Sequence, residues 1–232
     1  MTDVIREIQS TRVTDKTREI IVERITVESH MTLVVNGSVA SSFIYSAGHE
    51  IELVTGFLLS AGLIEHESQI DCLEIKGEEC HVVTKEATLR KEEFQSQLSM
   101  NHEKLLKVRD ALTSNQKNHY ATRGFHGAII WEIPTGKWFV CEDIGRHNAV
   151  DTVIGHGMRE GYSLSQSMVL LSGRLVSNIV SKCVNSKILM IASMTVATDR
   201  GIELARDAKM TIIGSLSEDG FWLYHEGAVK VT

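Results

Sequence analysis

One proline, Pro134, stands in 232 residues. Proline-rich linkers are therefore absent, and any domain boundary must be a softer join. Cysteine is scarce as well. Cys72, Cys80, Cys141 and Cys183 form no C-x-x-C pair. That spacing suits reduced thiols better than a disulfide framework or a zinc site. There is no basic excess: 24 Lys and Arg against 30 Asp and Glu leave a net charge of −6. A nucleic-acid partner is therefore not expected. No apolar run reaches membrane-spanning length, and the opening MTDVIREIQS lacks the basic stretch and apolar core of a secretion signal. A cytoplasmic protein without membrane contact is expected. What remains is an ordinary globular composition, 43% hydrophobic and 23% charged. It suits one large domain or a domain with a smaller lobe.

The first 85 residues read as a β-rich lobe. Asn36–Gly37 between two β-rich stretches predicts a hairpin, and a second hairpin turns near Gly77. Between them Ile51, Val54, Phe57 and Leu58 share one helical face, with Gly62 at the C-cap. Residues 86–120 read as a connection. Glu86 to Asn101 carries no strong pattern and is taken as a mobile loop. A helix then starts at Asn101, with Leu105, Val108 and Leu112 inward. From 121 to 232 the pattern is regular. GAIIWEI and KWFVCED flank PTGK as an antiparallel hairpin. Apolar strands MVLLSG, KILMIAS and MTIIGSL then alternate with helices, as expected for a sheet buried on both faces with parallel crossovers.

The densest chemistry lies in CEDIGRHNAVD, residues 141–151. Glu142, Asp143, Arg146, His147, Asn148 and Asp151 surround Gly145, where a strand gives way to a helix. A helix start offers free N–H groups and the positive end of the dipole, a ready anion site. The plainer alternative is a well-capped helix with solvated charges. In a parallel sheet, ligands bind outside the carboxyl ends of the strands. SGR (Ser172, Gly173, Arg174) and SMTVAT (Ser193 to Thr198) follow two such strands. The PTGK hairpin brings His126 beside the run. His126, Asp143, Arg146, His147, Ser172, Arg174 and Thr198 are thus expected to line one cleft suited to a phosphate or pyrophosphate. Each residue also has a structural reading: Asp143 as a turn residue, Thr198 as an N-cap, Arg174 as an ion-pair partner. His49, His66, His102 and His156 are expected in solvent. Cys141 is the candidate reactive thiol because it abuts the cluster. Its acidic neighbours would raise its pKa, whereas Arg146 and the helix dipole would lower it.

EDIGRHNAVDTVIG resembles the E-D-V-G-R-H-N-A-V-D-K-x-I-G signature of the formate dehydrogenase accessory (FdhD/NarQ) family almost throughout. TRGFHGA is similar to its T-G-G-x-H-x-A, LSGR to its S-G-R, and VVNG and GFLLSAGLI to its N-terminal motifs. The resemblance implies a cytidine-deaminase-like α/β/α domain with a smaller N-terminal β-rich α+β part, as a homodimer. It implies a sulfur carrier that takes a persulfide from a cysteine desulfurase. The sulfur passes to molybdopterin guanine dinucleotide, in its bis form with molybdenum or tungsten, destined for formate dehydrogenase. The cofactor is cargo, and no intrinsic metal site is implied. Residues matching the family at the cofactor site are His126, Asp143, Arg146, His147, Asn148, Ser172, Gly173, Arg174, Thr198 and Gly214. A guanine nucleotide is accordingly the expected ligand.

The departures are specific. The family's sulfur-carrying C-G-x-C-G-like loop has no counterpart between Thr84 and Tyr120, where this chain has no cysteine. Arg123 replaces a glycine, Ala197 a proline, and Ser215 to Gly220 the usual F-x-R-x-x. Three explanations stand open: a paralogue that binds cofactor without carrying sulfur, a substitute thiol such as Cys141, or a loop missing from the sequence itself. A zinc deaminase would need H-x-E followed by P-C-x-x-C, but His126 is followed by Gly127 and Ala128. A non-catalytic docking protein is the remaining alternative.

Overall fold

The computed structural model describes residues 3–85 and 98–232. Two hairpins open the chain. β1 (Ile5–Val13) and β2 (Arg18–Thr26) form a two-stranded ribbon. β3 (Ser29–Val35) and β4 (Ser38–Tyr45) turn at Asn36 and Gly37, both with positive φ, as a two-residue hairpin turn requires. Helix α1 (Glu50–Ser60) ends at the expected glycine, with Gly62 at φ +72 and the Leu63 N–H returning to Leu58 O. β5 (Ile70–Lys76) and β6 (Glu79–Thr84) turn at Gly77 and complete a four-stranded sheet ordered β4-β3-β6-β5.

The expected mobile loop from Glu86 lies largely outside the described residues. Its end forms strand β7 (Ser99–Met100), which the sequence reading missed. α2 (His102–Asn115) starts where expected, with the Asn101 side chain accepting from the Lys104 N–H. α3 (Lys117–Thr122) follows after the single non-helical residue Gln116, then β8 (His126–Glu132) and β9 (Trp138–Asp143) as the antiparallel pair. The remaining elements alternate: α4 (Arg146–Arg159), β10 (Ser167–Leu171), α5 (Ser177–Asn185), β11 (Met190–Ser193), α6 (Asp199–Asp207) and β12 (Thr211–Ser217). Two strands with no sequence expectation close the chain. β13 (Gly220–His225) adds an antiparallel edge to β12, and β14 (Lys230–Val231) pairs with β7.

The large sheet runs β13-β12-β11-β10-β8-β9. β10, β11 and β12 are parallel, as their apolar runs predict, and β8 and β13 make the sheet mixed. Alternate residues of its strands enter two cores. Ile130, Val169 and Ile191 pack with α1, α4, α5 and the small sheet, whereas Ile129, Leu170 and Met190 pack with α2. The first core is continuous from Met31 and Leu33 in β3 to Ile212 in β12. No helix among the described residues is long and apolar enough to cross a membrane.

Candidate functional site

The register of the β8–β9 hairpin sets His126 directly across from Asp143. Ser172 locks the next strand to this pair: its Oγ accepts from the Gly127 N–H at 3.0 Å, and its own N–H donates to Gly127 O at 2.9 Å. Gly173 lets the chain pass close. A β-carbon there would stand 3.2 Å from Arg146 Cδ and 3.7 Å from His126 Nδ1. The loop after β11 is tied to the loop after β10 by Ser193 Oγ, which donates to Gly173 O at 2.6 Å and accepts from the Thr195 N–H at 2.8 Å. Three strand ends therefore converge on one edge of the sheet, as the parallel order requires.

They enclose a pocket of about 440 Å³ lined by His126, Arg146, Ser172, Gly173, Arg174, Thr195 and Val196. A second pocket, of about 460 Å³, shares His126, Ser172 and Thr195 and continues toward α3. Together they form a trough. In a protein of net charge −6 the described residues lining it include three arginines, Arg123, Arg146 and Arg174, and no carboxylate. Arg146 Nε is buried with no hydrogen-bond partner among the described residues. Burial, with Arg146 beside it, holds the His126 imidazole below its ordinary value, so the ring is neutral near pH 7. The arrangement suits an anionic ligand.

The expected cleft is thus smaller in one direction than the sequence reading had it. Asp143 does not line the trough. It is 2% exposed, and its carboxylate accepts from Ser46 N, Gly145 N and Asn148 Nδ2 at 2.9, 2.7 and 2.9 Å. Those bonds, with Asn148 Nδ2 also on Ile44 O, fasten the start of α4 to the small sheet. Thr198 caps α6 through the Gly201 N–H. His147 sits among Asn178, Lys182 and Asp151, and burial lowers its pKa. Gly214 lies under the Tyr224 ring, where a β-carbon would come within 2.5 Å. The sequence reading named the SMTVAT segment but chose Thr198 within it; the residues facing the pocket are Thr195 and Val196.

Other polar residues of the run are structural. Glu142 accepts from the Asn118 and His119 N–H groups at 2.8 and 2.7 Å, capping α3. Asp151, 1% exposed, pairs with Lys182 Nζ at 2.7 Å. Nor are all the spare histidines in solvent. His156 is half-buried and stacks on Phe139 with centroids 3.7 Å apart, and His102 packs on Phe221. Cys141 is 3% exposed; burial, and then the nearby Asp143, push its thiol far above the ordinary range. Burial also raises Cys80 to about 11 and Cys183 to about 12. Cys72, on β5, is the exposed cysteine.

The model of the FdhD/NarQ family matches residues 26–96 and 83–229. The chain belongs to the FdhD/NarQ family. Relatives agree over nearly their whole length. Protein FdhD of Methanocaldococcus jannaschii is 29% identical over 205 residues, 88% of each chain. The sulfur carrier protein FdhD of Sulfolobus acidocaldarius is 25% identical over 243 residues, covering 95% of this chain and 96% of its own. The crystal structure of a putative formate dehydrogenase accessory protein from Desulfotalea psychrophila superposes with a TM-score of 0.82 at 22% identity. It covers 96% of this chain and 97% of its own. That likeness establishes a shared fold.

Proposed function

We propose that this member of the FdhD/NarQ family is a formate dehydrogenase accessory protein that holds molybdopterin guanine dinucleotide by its pyrophosphate groups. The observation that carries this reading is the trough itself. Among the described residues it gathers three arginines and no carboxylate, in an acidic protein, and Arg146 Nε is buried with no partner among them. Arg146 and Arg174 bind phosphate oxygens, Ser172 and Thr195 supply hydroxyls, and neutral His126 donates or accepts one hydrogen bond between them. Asp143, Asn148 and Thr198 act behind the site by fixing the helix starts. A deaminase-like ancestry for the sheet is part of this reading, without deaminase chemistry. GDP is the simplest probe. Calorimetry should show GDP binding, and Arg146→Ala should weaken it by about 1.5–3 kcal/mol, the worth of a hydrogen bond to a charged group. Absence of GDP binding to the unmutated protein would sink the reading.

Relatives are named sulfur carrier proteins; on this reading the chain takes sulfur from a cysteine desulfurase and passes it to the cofactor. The thiols favour a second reading, cofactor binding without sulfur transfer. A persulfide needs an accessible thiolate. Cys80, Cys141 and Cys183 are buried with raised pKa values, the exposed Cys72 stands on β5 and does not line the trough, and no cysteine stands between Thr84 and Tyr120. Incubation with a cysteine desulfurase and free cysteine, followed by persulfide labelling, separates the two. The second reading expects no labelled cysteine; a stoichiometric persulfide on any one of the four would restore the sulfur carrier.

A further inference from the structure

A smaller pocket, of about 230 Å³, lies away from the trough at the ends of α4 and α5. Both helices run back from the trough edge of the large sheet and finish beside the starts of β10 and β11. Leu59, Met158 and Leu164 supply its apolar lining, and Tyr162 an aromatic ring. Asn185 Nδ2 donates to Ser60 O at 2.7 Å and so ties the end of α5 to the end of α1. Ser186 closes α5 and lines the pocket. It is 1% exposed, yet its Oγ has no hydrogen-bond partner among the described residues. His66 Nε2, also of the lining, is buried and equally without a partner among them. Buried polar atoms are ordinarily satisfied, so these two call for a polar group that enters with a ligand. The sign of that group follows from the surroundings. Helix ends present carbonyls and the negative end of the dipole, which favour a cation. Glu65 and Glu67 also line the pocket against a single cation, Lys187, although Glu67 pairs with Arg159 at 3.2 Å.

We infer that this pocket is a binding site for a small primary amine on a short aliphatic stem. The ammonium is a pure donor with three hydrogens. It donates to Ser186 Oγ and to the bare Nε2 of a neutral His66, with Glu65 at the pocket's rim. The stem lies on Leu59, Met158 and Leu164, and the Tyr162 ring offers its face to the positive charge. The size sets a limit on the ligand. At roughly 30 Å³ per water the pocket holds about seven or eight waters, below the ~300 Å³ at which drug-sized sites begin. The site shares no residue with the trough and stands whether or not the cofactor reading does. It also has a cost in the empty protein, because a buried hydroxyl without a partner destabilises the fold.

n-Butylamine, n-butanol and n-butyrate share a stem and differ in the head, and NMR titration of each into the labelled protein at pH 7 tests this. n-Butylamine should shift the Ser163, Ser186 and Lys187 amides saturably in the millimolar range, the scale open to so small a ligand. n-Butanol should bind about threefold more weakly, the worth of an exposed charge contact. n-Butyrate, an anion without a donor, should bind at least tenfold more weakly. Ser186→Ala should weaken n-butylamine about tenfold, the scale of a hydrogen bond to a charged group. The same change should raise the melting temperature of the empty protein, whereas a hydroxyl with a purely structural role would lower it. Glu65 is exposed, so Glu65→Gln carries the test if Ser186→Ala fails to fold; it should erase the preference for n-butylamine over n-butanol. The site is overturned if n-butylamine gives no saturable shift at these amides, if n-butyrate binds as tightly, or if Ser186→Ala binds n-butylamine undiminished.

Discussion

Asp143 sits under two opposed electrostatic influences. Three N–H donors favour its charged form, while burial penalises it, and burial prevails to raise the carboxyl to about 6. The ordinary unfolded value is about 3.9. The folded pKa therefore lies above the unfolded one. Its contribution to stability is fully present below about pH 4 and is lost as pH rises through about 6. Asp143→Asn removes that titration. At pH 4 the wild-type group is a neutral acid whose hydroxyl oxygen can still accept, whereas the amide turns a donating NH2 toward one of the Ser46, Gly145 and Asn148 donors, so the variant is the less stable at pH 4. Between pH 4 and 7 its deficit should shrink by about 1–3 kcal/mol as the wild-type carboxyl ionises. Urea midpoints of both proteins at four pH values check this; a deficit independent of pH would contradict it. The residue also shows why the sequence reading erred here. Asp143 stands beside the right neighbours, but which way its carboxylate turns depends on Ser46, 97 positions away in sequence.

Among the elements, α1 and α4 cross with no room for a side chain at the contact. A β-carbon on Gly56 would strike the Asp151 carbonyl, and one on Gly155 the Glu52 carbonyl and the Gly56 nitrogen. Ala in a helix interior is worth up to about 1 kcal/mol over Gly. Overpacking against backbone costs about 1–3 kcal/mol or more, because neither helix can give way as a flexible side chain would. The clash wins, and Gly155→Ala should lower the urea unfolding free energy by about 2 kcal/mol net; unchanged or increased stability would mean the helices part easily. Elements fixed by local chemistry were legible beforehand. The Asn36–Gly37 and Gly77 turns, the Asn101 cap and the β8–β9 hairpin all follow from residues adjacent in sequence. The hairpin alone placed His126 beside the α4 start. β7, β13 and β14 were not legible, because two of them are two residues long and the third is an edge strand whose partner is chosen by the sheet.

At the scale of the molecule, the small sheet and the large one share a single core, so the N-terminal lobe has little of its own to bury. Met31, Leu33 and Cys80 belong to the same apolar cluster as Val150, Val169 and Ile212. A buried polar knot reinforces the join: Lys182 Nζ on α5 lies 2.7 and 2.9 Å from the Asp151 oxygens on α4, and Ser60 Oγ on α1 donates to the same carboxylate at 2.6 Å. Removing one member of such a pair strands the other charge in a low dielectric, a cost of roughly 3–5 kcal/mol. Lys182→Met should therefore destabilise the whole chain by that amount, not one lobe. The three tryptophans, Trp131, Trp138 and Trp222, all lie in the large sheet, so their fluorescence reports that half. Hydrogen exchange of peptides covering β3 and β6 reports the other. In urea the two signals should unfold at one midpoint in the wild type and shift together in Lys182→Met, as a two-state transition demands. A variant in which β3 and β6 exchange early while tryptophan fluorescence keeps its wild-type midpoint would show that the lobes fold separately. The apolar cluster would then be an interface rather than a core.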